Sequence, residues 1–188
     1  MVILIECIDL NFHIDLEKVD ENYLQNIAYN ARKNYNIGRR EGLLFYKVNE
    51  PEKIKQAYEI ISENRKQRGY SLKMSFKDIL NTIKIIDADF FMVADNAQNN
   101  IAAAIVFKAT NKTVQVIYWG HLADFASSKP INFLSCKLFE HYKKEGIRYV
   151  DVGPSTIDSV PSYGLIEFKE SIGCDISQKI TFGKKIIA

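Results

Sequence analysis

The stretch FFMVADNAQNNIAAAIVFKATNKTVQVIYWG, Phe90–Gly120, contains three β-rich apolar runs: FFMVAD, IAAAIVFKA and TVQVIYWG. The polar pieces between them, NAQNN and TNK, are too short for a crossover. The reading is therefore an antiparallel meander. After it, Ser127, Ser128 and Pro130 are good opening residues for a helix with Ile131, Leu134, Leu138 and Tyr142 on one side, ending at Gly146. RYVDV reads as a strand, GLIEFKESIG as a helix with Leu165, Phe168 and Ile172 on one face, and ISQKITFG as a closing strand.

Before the meander, GLLFYKV (42–48) is a further β-rich run. Asn49 is placed to cap the next helix, with Pro51 in its first turn and Glu52 completing a capping box. Its apolar stripe is Ile54, Ala57, Tyr58 and Ile61, and Gly69 stops it. Ser75 with Asp78 starts another helix through about residue 86. At the N-terminus, Val2–Ile8 reads as a strand. A helix from about Asp20 follows, with Leu24, Ile27, Ala28, Ala31 and Tyr35 at helical spacing and Gly38 at its end. The expected fold class is α/β (α+β): a mixed, mostly antiparallel sheet flanked by helices. The expected division is a strand-helix extension over 1–41 and a main domain over 42–188.

The composition is that of a globular chain, with 47% hydrophobic and 26% charged residues, which excludes a disordered one. A net charge of +2 argues against a dedicated DNA coat but leaves room for a local phosphate site. Three scattered cysteines and three histidines form neither a disulfide framework nor a metal spacing, so no metal is expected. The start MVILIECIDL is too short and too acidic for a membrane span or a secretory signal, and a cytoplasmic address is expected.

From residue 42 the order is β-α-α-β-β-β-α-β-α-β. It resembles the GNAT fold, the general N-acyltransferase architecture. The segments ENRKQRGYSLKMSFKDIL, Phe90–Gly120 and YVDVGPST…YGLIEFKESIG are similar to the Fem-type (FemAB-like) acyltransferases, in which a strand ending Asp-x-Gly precedes a Gly-Leu-x-x-Phe-Lys helix. Here those positions are Asp151, Gly153, Gly164, Leu165, Phe168 and Lys169, with Gly173 as the glycine in which the helix ends. LQNIAYNARKNYNIG resembles the basic helix that comes just before the Fem-type domain. Fem-type enzymes usually hold two such domains, and this chain resembles one, the second.

The resemblance implies transfer of an acyl or aminoacyl group to an amine, by direct attack and without a covalent enzyme intermediate. The acceptor would be a small or lipid-linked amine, on a cell-wall precursor or an amino sugar. The donor would be acyl-CoA or aminoacyl-tRNA, so tRNA is a possible partner. Donor pantetheine would pair with the strand holding Val116, Ile117, Tyr118 and Trp119. Its pyrophosphate would sit at the helix start near Ser127, Ser128 and Lys129, which is also an ordinary helix opening. Two features depart from acetyl-CoA enzymes: DFASSKP lacks their glycine-rich loop, and Phe168 stands where many of them carry a tyrosine.

Asp151, at a strand end beside a glycine turn, could orient or deprotonate the amine, or simply hold the turn. Ser155, Thr156 and Tyr163 are candidate substrate contacts, with turn capping or core packing as the plain alternatives. Lys169 could meet a phosphate or carboxylate, or be solvated. Gly164 is expected to permit close packing. Among the basic clusters, Arg39, Arg65 and Arg68 are candidate phosphate contacts. His121 with Asp124 suggests a base pair without a nucleophile, and Cys136 reads as a structural thiol. The alternative function is a non-catalytic binding module of the same fold, or one half of a tandem enzyme.

Overall fold

The computed structural model describes residues 3–157 and 159–184. Val2, at the start of the expected first strand, lies outside them. The elements are β1 (Ile3–Asp15), α1 (Tyr23–Asn26), α2 (Tyr29–Arg40), β2 (Leu44–Val48), α3 (Pro51–Gln67), α4 (Phe76–Thr82), β3 (Ala88–Ala94), β4 (Asn100–Lys108) and β5 (Thr113–His121). After a 3-10 turn (Ala123–Ser128) come α5 (Pro130–Lys144), β6 (Tyr149–Pro154), the short pair β7 (Thr156–Ile157) and β8 (Val160–Pro161), α6 (Tyr163–Ser171) and β9 (Asp175–Lys184).

Seven strands form one sheet in the order β2-β3-β4-β5-β6-β1-β9. The meander is as expected: β3–β4 and β4–β5 are antiparallel. Its residues alternate between two cores. Phe91 and Val93 face the cluster under α2 and α5, while Phe90 and Met92 face the one under α3 and α4. Burial on both faces is why these runs are apolar throughout.

The N-terminal strand enters the sheet itself. β1 pairs with β6 on one side and with β9 on the other. It also runs past the apolar start to Asp15, because Phe12 and Ile14 alternate into the core. The helix expected from Asp20 is two pieces. Ile27 is extended, with ψ 164°, and the Ala28 N–H leaves the helical ladder to reach the Ser171 carbonyl at 3.1 Å. The cap of α3 also differs: Glu50 is the N-cap with no side-chain cap bond, and Pro51 follows in the first turn. Ser75 and Asp78 do form the capping box of α4, with both reciprocal bonds present.

One pair of strands is parallel, β5 and β6, and it is short. Only Thr113, Val114 and Gln115 pair with Tyr149, Val150 and Asp151. Beyond Gln115 no pairing joins the two strands, and the opening between them is what the fold offers a ligand.

Candidate functional site

A cleft of about 570 Å³ occupies that opening. Its floor is Gln115–His121 of β5, one wall is Val152, Gly153 and Pro154 of β6 with the start of α6, and the other is the end of α3. The α3 wall fits closely: a Cβ at Gly120 would stand 2.9 Å from the Cβ of Asn64, and the Asn64 amide donates to the His121 carbonyl at 2.7 Å. Tyr118 accepts from the Met74 N–H at 3.2 Å, and Tyr58 donates to the Met74 carbonyl at 3.1 Å, which fixes the segment after α3 against β5. The first residues of α5 reach the cleft through Ile131 and Asn132, near free backbone N–H groups at a helix start.

The charge of this lining is one-sided. Arg65, Arg68, Lys73 and Lys169 contribute, and no aspartate or glutamate does, among the described residues. None of the four makes an ion pair among the described residues. Burial, reinforced by Arg68, pushes the Arg65 pKa down. His121 is also pushed down, by burial and then by Arg68 and Lys129, so it is neutral at pH 7; its Nδ1 is buried without a hydrogen-bond partner.

Lys169 is the most constrained of these groups. Only 2% of it is exposed, although a lysine on a terminal helix reads as a solvated one. Its Nζ donates to the Gly153 carbonyl at 2.7 Å and the Pro154 carbonyl at 2.9 Å, and lies 5.4 Å from the centre of the Phe12 ring. Burial brings its pKa down to about 8, Cys174 and Asp151 hold it up in part, and Arg65 pushes it further down. Phe168 beside it is half-buried, packs edge-on against Trp119 at 5.9 Å between ring centres, and lines the cleft.

Asp151 does not line the cleft. One of its oxygens accepts from Gly153 N–H at 2.7 Å and Asn11 Nδ2 at 3.0 Å, and the other from Gln115 Nε2 at 3.1 Å. It holds Gly153, whose φ of +78° is a conformation that favours glycine. A Cβ at Gly164 would meet nothing within 4 Å, so that glycine opens the cleft instead of serving the close packing expected of it.

The structure thus brings together Val116, Ile117, Tyr118, Trp119, Arg65, Arg68 and Lys169. Ser127, Ser128 and Lys129 lie beyond the lining, and Lys129 caps α5 in a left-handed conformation, φ +54°. Arg39 is exposed at the end of α2, and Tyr163 is 71% exposed at the start of α6. Ser155 is buried, with its N–H on the Leu10 carbonyl at 2.8 Å and its Oγ without a partner among the described residues. Thr156 of β7 donates to Asp9 while accepting from the Leu10 N–H, so the backbone of one and the side chain of the other tie this segment to β1. His121, expected only as half of a pair with Asp124, lines the cleft, and so do Asn64 and Lys73, which lie in the Fem-like segment ENRKQRGYSLKMSFKDIL but carry no expected role there. Asn64 also left a trace as a polar residue seven positions after Ala57 on the buried stripe of α3. Cys136 is buried, and burial pushes its thiol up to about 12, an environment that disfavours the reactive thiolate.

No family model and no curated protein sequence matches the chain. Solved structures do. A crystal structure of FemX superposes with a TM-score of 0.78 at 13% identity, over 92% of this chain and 60% of that one. L-PGS from Bacillus licheniformis gives 0.69 at 15% identity, over 96% and 61%. The fold is Fem-type and GNAT-like. A tandem GNAT protein from the clavulanic acid biosynthesis pathway also shares this fold, at 0.55 and 10% identity, over 95% of this chain and 52% of its own. The chain spans about three fifths of the first two solved chains. Among the described residues, no helix is long and apolar enough to cross a membrane, and no group of three or more His, Cys, Asp or Glu side chains could hold a metal ion.

Proposed function

We propose that the chain is an N-acyltransferase that moves an acyl or aminoacyl group from a phosphate-bearing donor to an amine of a cell-wall precursor or amino sugar, by direct attack in the β5–β6 cleft. One observation carries the reading: within a Fem-type fold, the cleft gathers Arg65, Arg68, Lys73 and a buried Lys169 with no carboxylate in its described lining. Such a surface favours an anion, and a donor brings its phosphates.

The β5 backbone at Val116–Trp119 would lie along the donor, and Arg65, Arg68 and Lys73 would hold its phosphates. Lys169 spends two of its three N–H groups on carbonyl oxygens. The third would face the oxyanion that forms when the neutral amine attacks the donor carbonyl. The carbon–oxygen or carbon–sulfur bond to the donor then breaks. His121, neutral at pH 7, is the lining base able to take the amine's proton and return it to the leaving group. Aminoacyl-tRNA fits better than acetyl-CoA, because Phe168 offers no hydroxyl to a departing thiolate and the glycine-rich loop is absent. Address in the cytoplasm follows from such a donor.

A second reading, a binding module without catalysis, is favoured by one fact: the strand-end carboxylate of Asp151 is already engaged by three donors. Incubation with aminoacyl-tRNA or acyl-CoA and a panel of amino sugars and peptide amines separates the two. Transfer from either donor, lost in Lys169→Met, supports the enzyme. Donor binding without transfer to any amine supports the module.

A further inference from the structure

Ile85 is 89% exposed, and Leu80 and Ile86 are 38% and 39% exposed close by. The helical hydrogen bonding of α4 continues past its last residue, through Ile83 N–H to Ile79 O and Ile86 N–H to Thr82 O. Lys77, Leu80, Asn81 and Lys84 therefore share one outward stripe at i, i+3, i+4 and i+7 spacing, with Ile85 beside it, while Ile79 is buried opposite. An apolar ridge between lysines is not what a solvated helix face needs. Over 66–87 the exposed charges are Lys66, Arg68, Lys73, Lys77 and Lys84 against Asp78 and Asp87. Asp78 is further occupied by the capping box with Ser75.

We infer that this surface docks on an anionic lipid bilayer, with Leu80, Ile85 and Ile86 entering the headgroup boundary and the lysines meeting lipid phosphates. Apolar side chains flanked by lysines are the composition that binds such an interface. Arg68 and Lys73, which precede α4 in the chain, line the cleft, and the Tyr58–Met74–Tyr118 bonds hold Met74, just before α4, to β5. The docking is measured without any reaction, so it stands apart from the transfer reading.

The test is co-sedimentation with vesicles of phosphatidylglycerol and phosphatidylcholine, against vesicles of phosphatidylcholine alone. The expected result is binding to the anionic vesicles, weakened by salt. It should drop about tenfold in Leu80→Ser/Ile85→Ser, from lost apolar burial, and by at least as much in Lys77→Glu/Lys84→Glu. All four side chains are exposed, so thermal melting of the variants should match the parent. No binding to anionic vesicles overturns the docking. So does binding that the serine variant leaves unchanged, and so does binding that duplex RNA competes away while Leu80→Ser/Ile85→Ser has no effect, since the surface would then be a nucleic-acid site. Loss of transfer in Lys169→Met with vesicle binding intact keeps the two proposals separate.

Discussion

The α3 wall of the cleft and the strand end behind its β6 wall treat charge in opposite ways. On the β6 side, Asp151 sits in a closed set of bonds from Gly153, Asn11 and Gln115. On the α3 side, Arg65, Arg68 and Lys73 face the opening with no carboxylate partner among the described residues. Between them Lys169 is buried and held by carbonyl dipoles, not by a counter-ion. A saturated carboxylate maintains a turn, whereas unpaired cations leave an electrostatic need that a ligand can meet. On that difference rests the proposal that the Asp151 end of β6 is structural and that the α3 wall recognises a ligand.

The largest expected effect is at Lys169. If it faces the oxyanion, Lys169→Met lowers the transfer rate by about 10²–10³-fold, as loss of one such donor does elsewhere. A fall of less than fivefold would make it a packing residue. The same lysine gives a pH signature. Its pKa is about 8 in the fold against 10.5 when free, so the unfolded chain binds more protons between those values. Stability then rises with pH from about 8 to 10, by up to about 3 kcal/mol relative to Lys169→Met. Denaturant titrations at pH 7 and pH 10 read this directly, and parallel behaviour of the two proteins would remove the buried-cation account.

Next in size is the close contact of β5 with α3. Gly120→Val forces a side chain against Asn64 and should cost about 2–3 kcal/mol, with a drop of several degrees in Tm. An unchanged Tm would mean that the α3 wall is looser than the 2.9 Å approach implies. Smallest is Asp151→Asn, which sets an amide among three donors and should cost about 1–2 kcal/mol. Donor affinity should stay within twofold. A large loss of transfer at full stability would return Asp151 to the chemistry.

Much of the fold was legible because its signals are local. The turns NAQNN and TNK and the Ser75–Asp78 box lie within a few residues of what they control. The insertion of β1 between β6 and β9 was not, since its partners lie more than a hundred residues away and share no pattern with it. The site divides in the same way. Val116–Trp119 and the arginines of α3 were readable as a strand and a basic cluster. The saturation of Asp151 depends on Asn11, 140 residues distant, and the burial of Lys169 depends on the covering Phe12. Nothing in the alternation of α6 distinguishes a lysine aimed at two carbonyls from one in water.

The central claim is that the α3 wall recognises the donor's phosphates. Calorimetric titration of acyl-CoA and of an aminoacylated acceptor-stem RNA, at several salt concentrations, tests it most directly in the parent and in Arg65→Gln/Arg68→Gln. The account predicts that at least one donor binds the parent. The double variant should then bind it at least tenfold more weakly, with a shallower dependence on salt. Equal affinity and equal salt slope in the two proteins, or no binding of either donor to the parent, would contradict it.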